Sequence, residues 1–232
     1  METNLFQNEL VVEIKKQGID FIHFVDISHL TKEQNKGYPT AILIGIILSK
    51  DYLRKVACTP DYVEQMKINK TIRNDEFHLT ELKTDEIADH IEKFLVTNGF
   101  NAYSQSEDNI LKTGYYDKEH SKTPLPHKTV AGFAGLGWIG KHNLLVTPEY
   151  GSAISICSVL TNAPLESKRH EVQIPHCGDC NICIEICKTN AIKGEIWECG
   201  ISRERIIDIT LCTTCYQCVV QCPWTQKYLK EK

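Results

Sequence analysis

Apolar residues recur along the chain at spacings that change from those of helices to those of strands. Residues four positions apart lie on one helical face and predict two helices, each ended by a glycine: Phe6, Leu10 and Ile14 before Gly18, and Ile87, Ile91 and Leu95 before Gly99. Runs of apolar or β-branched residues bounded by turn residues predict strands at 21–25, 41–48, 100–103 and 152–160. Helices and strands mixed in this way are typical of a sheet covered by helices, so the expected fold class is α/β, or α+β.

The pattern changes after about residue 170, where cysteine becomes frequent and apolar runs become rare. The cysteine-rich segment is too short to build an apolar core of its own, so we expect an inorganic core to replace it. We place a domain boundary near Glu171. Residues 1–170 are predicted to form the helix-covered sheet domain, and residues 171–232 a small ferredoxin-like domain with two clusters.

Composition narrows the class of protein. With 42% hydrophobic and 24% charged residues, the 232-residue chain is near globular averages, and its net charge of -4 offers no overall attraction to nucleic acid or to an anionic membrane. The first residues, METNLFQNELVVEIKK, lack the apolar run of a secretory signal, and the longest apolar stretch, AILIGIIL, is too short to cross a bilayer. A cytoplasmic location is expected, where cysteines are more often metal ligands or free thiols than disulfides.

Eight of the eleven cysteines fall in two copies of one motif. CGDCNICIEIC has the spacing C-x2-C-x2-C-x3-C, and it recurs as CTTCYQCVVQC followed by Pro223. Such a repeat is the signature of two [4Fe–4S] clusters, in which three cysteines of each run bind one cluster and the fourth binds the other. The expected ligand sets are Cys177, Cys180, Cys183 and Cys222 for one cluster, and Cys212, Cys215, Cys218 and Cys187 for the other.

Zinc is the alternative metal that these thiols could bind. Zinc sites usually take two separated C-x2-C pairs, which leaves the third and fourth cysteines of each run unexplained, so the spacing favours clusters. Two details depart from the ideal motif. Lys188 stands where the first run usually has proline, and Cys199 could compete with Cys212 as a ligand.

The segment AGFAGLGWIGKHNLL is rich in glycine. Gly135, Gly137 and Gly140 fit G-x-G-x-x-G, but that dinucleotide fingerprint needs a preceding strand and an acidic residue about 20 positions later. The preceding TPLPHKTV makes a poor strand, and the later SICSVLT has no acidic residue. Two interpretations remain: backbone that a flat or bulky ligand approaches closely, or a tight turn packed by Trp138.

The run PHKTVAGFAGLGWIGKHNLLVTPEYGSAISICSVLTNAPL, followed by two cubane motifs ending in CPW, resembles the epoxyqueuosine reductases and, more closely, a shorter group of similar proteins without their C-terminal helical-repeat domain. The resemblance covers about Thr123 to Tyr228. It implies a bound cobalamin beside the nearer cluster, as in the related reductive dehalogenases. The residues that it places along the corrin and its nucleotide tail are Gly135, Gly137, Trp138, Gly140, Lys141 and His142.

The resemblance leaves several roles open. His142 could be an axial ligand to cobalt or a hydrogen-bonding residue, and His127 and Lys128 could meet a phosphate of the nucleotide tail or solvent. Because a cluster must pass electrons to the corrin, the glycine-rich segment is expected to pack against the cysteine domain. The family has a catalytic aspartate shortly before this segment, but no residue of AYSQSEDN clearly aligns with it. The candidate proton donors are Asp108, Glu107 and Tyr103, each of which could equally be an ordinary loop residue.

These observations support a hypothesis of enzyme function. The chain is expected to be an oxygen-sensitive iron–sulfur oxidoreductase, dependent on cobalamin, that acts on an unidentified small molecule and takes electrons from a donor such as a ferredoxin or flavodoxin. The acidic balance and the missing helical repeats disfavour tRNA as the substrate. The alternative is a ferredoxin-type electron carrier that serves a partner protein without a corrinoid.

Overall fold

The computed structural model describes residues 2–198 and 200–231. Its strands are β1 (Phe21–Asp26), β2 (Thr40–Ile47), β3 (Ala102–Ser104), β4 (Trp138–Ile139), β5 (Leu145–Val146) and β6 (Ile154–Thr161). Its helices are α1 (Glu2–Lys15), α2 (Lys32–Asn35), α3 (Lys50–Cys58), α4 (Tyr62–Ile68), α5 (Glu76–Thr97), α6 (Glu107–Lys112), α7 (His127–Phe133), α8 (Ile182–Glu185), α9 (Arg203–Ile206), α10 (Gln217–Val220) and α11 (Pro223–Lys230). A short 3₁₀ helix covers Ile72–Asn74.

Four strands form the main sheet in the order β1-β2-β6-β3. β1 runs antiparallel to β2, and β3 runs antiparallel to β6. β4 and β5 form a separate antiparallel hairpin in which Trp138 lies opposite Val146. The mixture of helices and sheet confirms the predicted fold class.

Both predicted helices are present, and they cover the sheet. The apolar faces of α1 and α5 pack with β2 and β6 in one core that includes Leu10, Ile14, Ile42, Ile44, Ile87, Ile91, Leu95 and Val159. The strand predicted at 100–103 begins at Ala102 instead. The reason is the end of α5, where Gly99 has a φ of 86° and the Phe100 N–H donates to the Leu95 carbonyl, so residue 100 still belongs to the helix terminus.

The chain is grouped by its contacts into two compact units. The first, which we call the sheet unit, contains residues up to 46, 80–135 and 155–171. The second, the cysteine unit, contains residues 47–79, 136–154 and 172 onward. The chain passes from the sheet unit to the cysteine unit for the last time after Glu171. Residues 47–79 and 136–154, which the sequence places in the first domain, are grouped with the cysteines.

The cysteine unit has an apolar core that its cysteine-rich segment does not supply alone. Leu53 and Val56 of α3 pack with Val220 of α10 and Leu229 of α11. The buried Gln217 side chain also donates from Nε2 to the Val56 carbonyl at 3.0 Å. The expectation that an inorganic core replaces an apolar one is therefore wrong in part, because the apolar partners come from a segment more than 100 residues earlier in the chain.

In the part of the chain that the structure describes, no helix is both long enough and apolar enough to cross a membrane.

Candidate metal centre

The repeated cysteine motifs have similar local structures. In each run the third cysteine lies on a one-turn helix, Cys183 on α8 and Cys218 on α10, and these two helices pack against each other. The fourth cysteine of each run follows its helix: Cys187 comes after α8, and Cys222 immediately precedes α11. The repeat in sequence is thus a repeat in structure.

Four cysteines from both runs meet in a first group. Cys183 is buried, and burial raises the pKa of its thiol to about 11, with the neighbouring Cys177, Cys222 and Cys180 contributing. Burial also raises the pKa of Cys222, and Cys177 and Cys180 again contribute. The pKa of each of these two thiols is therefore affected by at least one cysteine of the other run, and those cysteines are predicted ligands of the same cluster.

The remaining four cysteines of the motifs form a second group around Cys218. Burial raises the pKa of the Cys218 thiol, and its cysteine neighbours Cys215, Cys212, Cys183 and Cys187 raise it further. Three of these belong to the set predicted for the second cluster, again with one member from the other run. The fourth, Cys183, belongs to the first group, so the two groups lie next to each other.

The two crossing cysteines accept backbone hydrogen bonds. Burial tends to raise the pKa of Cys187, but N–H groups at residues 189, 191 and 192 and the Thr189 hydroxyl together lower it below its usual value. Cys222 likewise accepts hydrogen bonds from the N–H groups of Trp224 and Thr225, and these two bonds act to lower its pKa. Hydrogen bonds to cysteine sulfur stabilise the thiolate and are one of the ways in which proteins tune cluster potentials.

No three His, Cys, Asp or Glu side chains of the described residues lie close enough to share one metal ion. A cubane binds one thiolate at each of four irons, so its ligands are more widely spread than those of a single ion. Cys199, the predicted competitor of Cys212, lies outside the described residues.

The glycine-rich segment lies partly in the cysteine unit and packs against the cysteine-rich part of it, as expected. Lys141 Nζ donates to the Gly178 and Cys180 carbonyls at 2.9 and 3.0 Å. Trp138 shares an apolar cluster with Cys222 and Trp224. The segment follows helix α7 and not a strand, so the structural context of a dinucleotide fingerprint is absent from the described residues here.

At each of the three glycines, a side chain would clash with other atoms of the chain itself. A Cβ atom at Gly137 would lie 1.9 Å from the Val146 carbonyl oxygen, and one at Gly140 would lie 2.9 Å from the Val146 side chain. Gly135, in the sheet unit, has a φ of 74°, and a Cβ there would meet the His170 ring at 2.9 Å. These contacts favour the interpretation of a tight turn over that of a gap left for a flat ligand.

His142 is also engaged within the cysteine unit. Its Nδ1 atom accepts the Leu144 N–H at 3.2 Å, so its Nε2 atom carries the proton of the neutral ring and lies 3.4 Å from Ser152 Oγ. Ser152 in turn donates its hydroxyl to the Leu145 carbonyl at 2.7 Å. Both ring nitrogens are used, and an axial ligand to cobalt needs a free lone pair.

The candidate proton donors lie in the sheet unit. Glu107 and Asp108 are exposed in the first turn of α6. Tyr103 is buried on β3, where its hydroxyl lies 2.6 Å from Thr113 Oγ1 and burial raises its pKa. Of the three, only Tyr103 is enclosed by the protein.

A polar network in the sheet unit was not predicted from the sequence. Gln105 donates from Nε2 to the Leu125 carbonyl at 2.9 Å, which leaves its Oε1 atom to accept the Ser158 hydroxyl at 2.7 Å. Ser158 Oγ then accepts a hydrogen bond from the Nδ1–H group of His127 at 2.8 Å. Burial lowers the pKa of His127 to about 4. The ring is therefore neutral with its lone pair on Nε2, an arrangement unsuited to attracting a phosphate by charge.

Comparison with known proteins identifies relatives that match part of the chain. No protein-family model matches the chain. The epoxyqueuosine reductase of Synechocystis sp. is 31% identical over 121 residues, which are 45% of this chain and 41% of that protein. That of Lactococcus garvieae is 34% identical over 122 residues, covering 52% of this chain and 29% of the relative. The chain thus spans less than half the length of these relatives.

Solved structures share the fold across almost the whole chain. An epoxyqueuosine reductase bound to a stem loop of tRNA-Tyr matches with a TM-score of 0.56 and 16% identity, over 97% of this chain and 66% of that one. A reductive dehalogenase, whose structure suggests a mechanism for B12-dependent dehalogenation, matches with a TM-score of 0.59 and 19% identity, over 90% of this chain and 29% of that one. The chain is therefore similar in sequence to part of the epoxyqueuosine reductases, and it shares its fold with them and with the reductive dehalogenases.

Proposed function

We propose that the protein is an iron–sulfur oxidoreductase that carries two [4Fe–4S] clusters. Cluster I is bound by Cys177, Cys180, Cys183 and Cys222, and cluster II by Cys212, Cys215, Cys218 and Cys187. The observation that carries this proposal is the interaction between thiols of the two runs: Cys183 interacts with Cys222, and Cys218 interacts with Cys187, as crossing ligands would. Sequence similarity to epoxyqueuosine reductases supports the reductase class.

The residues around the proposed ligands suit both clusters to electron transfer. Bound clusters of this type supply single electrons at potentials that the protein sets. The N–H groups that face Cys187 and Cys222 stabilise the thiolate form of both crossing ligands. Cys183 and Cys218 belong to one apolar cluster, which supports two clusters lying next to each other.

The finer proposal is that the electron acceptor is a bound cobalamin that reduces a small molecule. Its support is the fold shared with a B12-dependent dehalogenase and not the glycine-rich segment. The side chains of Lys141 and His142 and the space beside Gly137 are occupied by this chain's own atoms, so they do not fit a corrin in the way that the resemblance implies. These filled contacts favour the second candidate function, an electron carrier that reduces a partner protein.

The proposed substrate class follows from the net charge of the chain, and the proposed electron donor from the one-electron chemistry of the clusters. A small molecule is proposed in place of the tRNA that the related structure binds, because a net charge of -4 provides no overall attraction to phosphates. The electron donor is proposed to be a one-electron carrier such as a ferredoxin or flavodoxin.

Metal analysis of anaerobically purified protein tests the cluster assignment. We expect about eight irons and eight sulfides per chain. Cys222→Ser should damage cluster I and Cys187→Ser cluster II, because each removes a crossing ligand. The spectrum of each variant should match that of a variant from the other run: Cys180→Ser for the first and Cys215→Ser for the second. Stoichiometric zinc without visible absorbance, or Cys222→Ser damage confined to cluster II, would contradict the assignment.

Titration with cobalamin separates the two candidate functions. A reductase should change the ultraviolet–visible spectrum of added cobalamin and bind it in a fixed ratio to the chain. A protein that holds both clusters but has no affinity for cobalamin in any oxidation state would support the electron carrier.

A further inference from the structure

Lys141 carries a buried charge. Its side chain is 7% exposed, and its ammonium group uses three donors on three acceptors at 2.9–3.0 Å: the Gly178 carbonyl, the Cys180 carbonyl and the Asn181 side-chain oxygen. All three acceptors are neutral. Among the described residues Lys141 forms no ion pair with a carboxylate. Since a buried charge is costly unless an opposite charge compensates it, the site calls for a nearby anion.

The acceptors of Lys141 identify where that anion would be. Gly178 and Cys180 lie in the loop that carries the first three ligands of cluster I. The fourth ligand, Cys222, packs against Trp138, three residues before Lys141. One short segment therefore contacts the chain on both sides of the predicted cluster I.

Trp138 supplies a second, independent observation. Its indole Nε1 is buried and has no hydrogen-bond acceptor among the described residues, although the ring packs with Cys222, Trp224 and His176. A buried donor without an acceptor costs free energy, and sulfur atoms of a cluster are acceptors. Both an unpaired N–H and an uncompensated ammonium are thus found in the segment that contacts the cluster I ligands.

We propose that Lys141 is the positioning and charge-compensating residue of cluster I, an inference that rests on the proposed two-cluster function. Four thiolates give an oxidised [4Fe–4S]²⁺ core a net charge of about -2, and uptake of one electron makes it about -3. The fixed positive charge of Lys141 stabilises the reduced form more than the oxidised form, so it raises the reduction potential of cluster I. Its hydrogen bonds also hold the Cys177–Cys183 loop in the ligand geometry.

Lys67 offers a matched control. It donates to the Thr213 carbonyl at 2.6 Å, in the loop between two ligands of cluster II, but it is exposed. Solvent screens an exposed charge, so Lys67 resembles Lys141 in its hydrogen bond and differs from it in burial.

The test is a redox titration of the reconstituted full-length protein with dithionite, followed by electron paramagnetic resonance. At the wild-type midpoint of cluster I, Lys141→Met should reduce the ratio of reduced to oxidised cluster about 10-fold, which is a midpoint shift of about 59 mV to more negative potential. Lys141→Arg, which keeps the charge, and Lys67→Met should keep the wild-type midpoint. If Lys141→Met loses about half of its iron while Lys67→Met keeps all of it, the positioning role is supported.

The inference fails if Lys141→Met keeps both its iron content and its midpoints, or if Lys141→Arg shifts the midpoint as far as Lys141→Met does. Absence of iron from the wild-type protein is a different result, because it would contradict the proposed function itself.

Discussion

At the scale of single residues, the structure determines the protonation of a histidine that the sequence leaves open. The Gln105 amide is oriented by the Leu125 carbonyl, so the direction of every hydrogen bond from Gln105 through Ser158 to His127 is determined. The imidazole is neutral, because burial lowers its pKa to about 4. No pattern of sequence predicts this, since the three residues are separated by at least 22 positions in the chain.

This histidine should make the stability of the protein depend on pH. An unfolded chain protonates His127 near pH 6.5, whereas the folded chain resists protonation down to about pH 4, so stability is present above 6.5 and is lost as pH falls toward 4. From pH 7 to pH 5 the wild-type free energy of unfolding should fall by about 2 kcal/mol more than that of His127→Asn. Anaerobic urea unfolding at both pH values measures the difference, and equal pH dependence in the two proteins would contradict the assignment.

At the scale of secondary structure, the β4–β5 hairpin is the element whose role differs most from the expectation. The glycines between 135 and 140 are visible in the sequence, and so is their need for close approach. What approaches Gly137 is the carbonyl of Val146 across the hairpin, not a ligand. A hairpin of two-residue strands gives no periodicity, so its pairing could not be predicted from the sequence.

Gly137→Ala should consequently damage the metal centre. The added methyl group would meet the Val146 carbonyl, and such a clash costs about 1–3 kcal/mol or more. Because the same hairpin carries Trp138 and contacts Cys222, we expect a lower melting temperature together with loss of iron. Gly99→Ala is the control: its φ is 86° but nothing lies within 4 Å of an added Cβ, so it should cost about 1 kcal/mol and leave the iron in place. A Gly137→Ala protein with full iron content would show that the hairpin does not support the centre.

At the scale of the whole molecule, the cysteine unit is assembled from three separate stretches of chain. The cysteine spacing predicts the ligand chemistry and the crossing pattern, because thiolates at these intervals are typical of clusters. It could not reveal that α3 completes the core beneath α10 and α11, since contacts between residues 100 or more positions apart leave no local signature. The sheet was predictable because its strands and helices are long enough to show their periods.

The residues after 170 should therefore not form a stable two-cluster protein by themselves. A fragment of residues 171–232 would expose Val220 and Leu229, which pack against α3 in the full chain, and would lack Lys141. After anaerobic reconstitution and gel filtration we expect it to retain less than half the iron per chain of the full-length protein treated in parallel. A fragment that keeps the full iron content would show that the clusters need none of residues 47–79 or 136–154.

The crossing ligands, finally, have a consequence for damage by oxygen. On the proposed assignment, Cys187 in the first run is anchored by cluster II, and Cys222 in the second run by cluster I. Oxidative loss of either cluster thus releases three cysteines of one run and the fourth cysteine of the other run, and the run that binds the remaining cluster loses one anchor. Repair of one cluster would then also restore the anchor of one cysteine in the run that binds the other cluster.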